Sequence, residues 1–103
     1  MNFVDLGWKD PSATEKVVFD FLSNLAVGET ISSATVTATV WTGSDSAPSG
    51  LVNGAATIAG SQVTQSLHAG NDGTIYKLIC TAVTSGSQTL VLNGYLAVGG
   101  NPL

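Results

Sequence analysis

Apolar and polar residues alternate with a period of two along most of this chain, in runs separated by Gly, Ser, Asn and Pro. A period of two marks a strand with one face buried. Over residues 16–22, Val17, Phe19 and Phe21 share one face, and Val18 and Asp20 take the other. Residues 34–42 alternate most cleanly, with Val36, Ala38 and Val40 inward and Thr35, Thr37, Thr39 and Trp41 outward. Threonine, β-branched yet polar, suits the solvent side of a sheet. A short strand over 55–59 ends at the Gly60-Ser61 turn, and a strand over 62–68 follows, with Val63 and Leu67 inward. Strands over 74–83 and 88–98 close the series through the compact connection Ser85-Gly86-Ser87. In the last of these Leu90, Leu92, Leu96 and Val98 share a face, and Asn93-Gly94 is expected to form a bulge. Residues 23–33 and 42–50 read as loops, the first partly packed through Leu25 and Ile31.

Six to seven short strands at roughly 8–12-residue spacing, with no helical period, predict an all-β fold. The stretch Asn71-Asp72-Gly73-Thr74-Ile75-Tyr76 narrows it. Gly73 supplies a turn, and a tyrosine early in the next strand can hydrogen-bond back across the corner. That is the tyrosine corner of immunoglobulin-like sandwiches. The expected architecture is an immunoglobulin-like β-sandwich of antiparallel strands over residues 14–103, preceded by an extended N-terminal arm over 1–13. Cys80 lies four residues past Tyr76, hence on the same face, and reads as a small buried hydrophobe. The arm carries Phe3, Val4, Leu6 and Trp8 without a clean period.

Charge changes the picture by exclusion. Only 10% of the 103 residues are charged, the net charge is −4, the cations are Lys9, Lys16 and Lys77, and arginine is absent. Gripping phosphates needs Lys and Arg to displace counterions, so nucleic-acid binding is not expected. A Ser/Thr-coated surface with few charges packs well against neighbours, as in an assembly subunit. With Cys80 alone there is no internal disulfide, which points to assembly in a reducing cytoplasm. The first residues lack the basic start, apolar core and cleavage site of a signal peptide. No apolar stretch approaches the roughly 18–20 residues of a membrane-spanning helix.

Candidate chemistry is sparse. His68 is the sole histidine; Ser66 and Asp72 are near it in sequence, but a triad requires geometry, and His68 reads as a polar strand-end residue. One histidine and one thiol fall short of a metal set, and Glu29, Asp45 and Asp72 do not follow a calcium-loop pattern. No enzyme activity, metal or cofactor is expected. The tryptophans carry more promise, since exposed aromatics anchor protein interfaces or stack on sugar rings. Trp8 is assigned to a partner contact, and Trp41 is open between edge packing and an interface.

The chain also carries a familiar order of short motifs. Lys9-Asp10-Pro11 precedes an apolar strand, then come Leu22-Ser23-Asn24-Leu25, Val27-Gly28-Glu29-Thr30-Ile31, Ala34-Thr35-Val36-Thr37 and Gly73-Thr74-Ile75-Tyr76-Lys77-Leu78. This order resembles a family of small tailed-bacteriophage virion proteins of immunoglobulin-like fold, described as fibre–tail adaptors, over about residues 9–98. The resemblance implies a structural protein, assembled in the host cytoplasm and placed in the tail or neck of the virion. Implied partners are tail, neck or portal-proximal proteins, a fibre protein, and further copies of the chain in a symmetric ring. No catalytic residue carries over. On this basis the arm, through Phe3, Val4, Leu6 and Trp8, is expected to latch onto a tail or neck protein, with Trp41 as a further contact. The same residues are open to two other roles, a capsid decoration or cement protein and, through Trp8, Trp41 and Tyr95, a carbohydrate-binding module.

Overall fold

The structure, a computed structural model, describes residues 3–99, with side chains from Trp8 onward. Seven strands follow one another: β1 (Phe3–Lys9), β2 (Glu15–Asp20), β3 (Ile31–Thr42), β4 (Thr57–Ala59), β5 (Gln62–Leu67), β6 (Thr74–Thr84) and β7 (Thr89–Val98). Short 3-10 turns at Leu22–Asn24 and Pro48–Leu51 are the helical pieces among the described residues. A four-stranded sheet, β1-β7-β6-β3, packs over a three-stranded sheet, β2-β5-β4. This is the all-β sandwich that the alternation predicts.

The inward positions of each run meet in one core. Val17, Phe19 and Phe21 come from β2 and its end, Val63 and Leu67 from β5, Val36 and Ala38 from β3, and all are buried. Tyr76, Leu78, Cys80 and Ala82 fill alternate positions of β6, facing Leu92, Leu96 and Val98 of β7. Each fully buried Phe or Leu contributes about 1.5–3 kcal/mol relative to exposure, so the period-two pattern supplies the main drive to fold. Gln65 is also buried on the inward face of β5, and its amide donates to the Asn53, Gly54 and Ser66 carbonyls at 3.0–3.3 Å.

The segment expected as an arm is extended, but over Phe3–Lys9 it lies along β7 of its own sheet as β1. β1 is parallel to β7, from Phe3 opposite Asn93 to Lys9 opposite Val98, whereas the other strand pairs are antiparallel. Two things hide this strand in the sequence. The register shifts between Asp5 and Trp8, and the inward residue at the end of the strand is a lysine. Lys9 is fully buried; its ammonium donates to the Ala69 carbonyl at 2.7 Å and to the Asp10 carbonyl at 2.9 Å. The chain then turns at Asp10, whose side chain accepts from the Ser12 N–H (2.8 Å) and hydroxyl (2.6 Å).

Asn93-Gly94 does not bulge against β6: Asn93 stands opposite Ile79 and Gly94 opposite Leu78 in continuous register. Gly94 is a buried ladder position whose missing side chain is accommodated without a shift. β3 starts at Ile31, three residues before the clean alternation, because a bulge between Ile31 and Ser33 breaks the period there.

Candidate protein-interaction surface

Turn chemistry builds one end of the sandwich. Gly73 sits at φ 81°, in the left-handed region that glycine adopts without strain. The chain reverses there and Tyr76 enters the core. Its hydroxyl accepts from the Asn71 N–H at 2.8 Å, the bond across the corner that the sequence predicts, and donates to the Asp45 carboxylate at 2.5 Å. Burial, then the Asp45 contact, raises the Tyr76 pKa. In return the Tyr76 hydroxyl, helped by the Ala47 N–H, lowers that of Asp45. Asn71 Nδ2 and the Thr74 hydroxyl both donate to the Ser44 carbonyl, at 2.8 and 3.1 Å. The loop after β3 is thereby fastened to the turn before β6. Lys9 fastens β1 to the same corner through Ala69, and burial lowers its pKa even though Glu15 and Asp10 act to raise it.

These anchors hold two tryptophans on the outer face of the four-stranded sheet. Lys9 points inward, so Trp8 points outward, opposite Ala97. Ala97 pairs with Ile75, and Ile75 with Thr42 beside the bulge that carries Trp41. The two tryptophans therefore stand on opposite edges of one row, three strand spacings or about 14 Å apart. Trp8 is 52% exposed and Trp41 is 60% exposed. Trp41 leans on Tyr95, with ring centroids 5.2 Å apart and planes at 58°. Val91, also on the outer face, is 53% exposed toward the far end of β7.

Of the residues that the sequence singles out as contacts, Trp8 and Trp41 come together on this face. The side chains of Phe3, Val4 and Leu6 lie outside the described part of the structure, although their backbone belongs to β1. Tyr95 and Trp41 are both outward by period two, but nothing local pairs them: through Lys77, Tyr95 stands level with Thr39, two residues before Trp41 on β3.

At the other end of the sandwich, Leu22, Leu25, Val27 and Gly60 help line an open groove of about 500 Å³. Glu29 organises this end. Its carboxylate accepts from the Thr84 hydroxyl at 2.5 Å and from the Ala26 N–H at 3.0 Å, and these two bonds, Thr84 first, lower its pKa. Thr30 and Ser85 exchange two further bonds, so the loop before β3 is clamped to the β6–β7 hairpin.

Among the described residues no three His, Cys, Asp or Glu side chains converge as a metal set. His68 is exposed just beyond β5. Cys80 is buried, and desolvation pushes its thiol up to about 11, away from the reactive thiolate. What the outer face offers at this end is half-exposed tryptophan area beside Ile75 and Ala97 on hydrogen-bonded strands, the material of protein contacts.

No curated protein sequence matches the chain. A family model does: the one described as podophage GP4 fiber-tail adaptor protein gp77 aligns with residues 9–95. That match spans most of the sandwich, from Lys9 to Tyr95, and the chain belongs to this family of phage fibre–tail adaptors.

Proposed function

We propose that this protein is a structural component of a bacteriophage tail or neck, where it links tail to fibre by protein–protein contacts and carries out no catalysis. The sandwich acts as a rigid spacer. The end of the outer face bearing Trp8, Trp41 and Tyr95, with Phe3, Val4 and Leu6 on the same edge strand, docks on a tail, neck or portal-proximal protein. A fibre protein takes another surface. The observation that carries this is the placement of two half-exposed tryptophans on one rigid face of a fibre–tail adaptor family member. A well-packed aromatic anchor contributes about 2 kcal/mol or more to an interface. Copies arranged in a ring around the tail would turn a modest contact into lasting attachment. Assembly takes place in the host cytoplasm, which suits a buried, unpaired Cys80.

The test is the double variant Trp8→Ser, Trp41→Ser, purified and then supplied to particles assembled without the native chain. It is expected to fold as the native protein does by circular dichroism and to be absent from particles. Incorporation at the native level would refute the docking face.

A further inference from the structure

Four strand edges bound the two sheets, and three are blunted against pairing. β2 carries Glu15, Lys16 and Asp20, all exposed; β4 has three residues; β1 contains Asp5 and a register shift. Charges, shortness and bulges are the devices that keep an edge from recruiting another strand. β3 has none of them over its central part. It is twelve residues long, contains no Asp, Glu, Lys, Arg or Pro, and keeps unbroken register from Ser33 to Val40. It ends its sheet, and among the described residues no strand pairs with its outer edge.

The sequence of that edge says what fits it. Ala34-Thr35-Val36-Thr37-Ala38-Thr39-Val40 alternates small apolar residues with threonines, and that alternation is symmetric about Thr37 although Ala and Val exchange places. We propose that the β3 edge pairs antiparallel with β3 of a second copy of this chain, across a twofold axis at Thr37, joining two four-stranded sheets into one of eight strands. On the exposed outer face Thr37 then meets Thr37, and Thr35 meets Thr39. Cross-strand Thr–Thr pairs of this kind are favourable. On the inner face Val36 meets Ala38 and Ala34 meets Val40, large against small in each case. Although the chain carries −4 overall, β3 itself is uncharged, so the pairing opposes no like charges along the strand. A twofold contact closes on itself, so it yields pairs, and a ring would need a second, different contact. The pairing uses the backbone edge of β3, not the Trp8–Trp41 face, and stands or falls independently of what that face binds.

Purified full-length protein tests it by sedimentation. The native chain is expected to show a concentration-dependent dimer. Thr37→Lys and Thr37→Glu, both at an exposed outward position, are each expected to sediment as folded monomers, and an equimolar mixture to recover the dimer. Register is read by cysteines: antiparallel partners lie about 4.5–5.5 Å apart at Cα, within disulfide reach. Oxidised Thr37→Cys is expected to crosslink to itself, and Thr35→Cys to crosslink to Thr39→Cys much more than to itself. A native chain that stays monomeric at every concentration, a Thr37→Lys dimer as tight as the native one, or crosslinking at a different register would overturn the proposal.

Discussion

The Tyr76 hydroxyl donates to the Asp45 carboxylate at 2.5 Å while it accepts the Asn71 N–H at 2.8 Å, so one phenol joins three segments of chain. Those segments are the loop after β3, the turn before β6 and β6 itself. Trp41 lies at the root of the first, and the corner therefore fixes the end of the sheet that bears the two exposed tryptophans. Tyr76→Phe keeps the packing and removes both bonds, leaving the Asn71 N–H without that partner. The expected loss is about 1–3 kcal/mol of stability, read from denaturant unfolding at unchanged slope. A variant as stable as the native chain would show that the corner is ornamental.

Acid should weaken both ends of the sandwich. The Asp45 carboxyl is held below its usual 3.8 by Tyr76 and then Ala47, and Glu29 below its usual 4.5 by Thr84 and then Ala26. A carboxyl whose folded pKa is depressed contributes stability above its unfolded value and loses it as pH falls through the folded one. Melting temperature should therefore drop as pH falls from about 4.5 through 3.8 and below. Asp45→Asn and Glu29→Gln should each flatten part of that drop. An unchanged acid limb in both variants would contradict the assignment.

Lys9 gives a pH dependence of the same sign, at the alkaline end and for a different reason. Burial lowers its pKa from 10.5, so the unfolded chain binds more protons in the window below that value. Stability contributed by this group should rise as pH climbs through the window toward 10.5. Lys9→Met keeps the apolar stem but leaves the Ala69 and Asp10 carbonyls without the ammonium. A net cost of about 1–2 kcal/mol at neutral pH, with the alkaline rise abolished, is the expected outcome. Retention of the rise would assign it to another group.

Gly43 tests how tightly the β3 loop seats on the corner. It adopts φ 103°, and a Cβ there would lie 2.8 Å from the Thr74 Cα, a backbone atom that cannot swing aside. Gly43→Ala should cost about 1–3 kcal/mol through strain at that φ and the clash together. Gly28→Ala, also at positive φ but with nothing within 4 Å of a Cβ, should cost less. Equal thermal shifts in the two variants would mean that the close approach carries no energy.

Most of the core was legible because alternation reports burial directly. Val17, Phe19 and Phe21, the β3 valines and the β6 series all fall where the period places them. Tyr76 and Gly73 were legible because a turn glycine and an early tyrosine have one joint use. What stayed hidden are the places where a residue's class and its position disagree. Lys9 and Gln65 are polar yet buried, and each is satisfied by carbonyls distant in sequence or across a loop, which no local pattern announces. A lysine at the inward position also conceals β1, since a charged residue reads as outward. Of the proposed docking face, Trp8 and Trp41 are legible as aromatic residues outside the core pattern. Their common row, and the contact of Trp41 with Tyr95 one row along, depend on strand order and register, which are long-range facts.

The most direct measurement of the central claim is a reconstruction of the phage particle at a resolution that traces strands. This sandwich is expected between tail and fibre, with Trp8 and Trp41 covered by a tail or neck subunit. Finding the chain on the capsid surface, or in the tail with both tryptophans facing solvent, would contradict it.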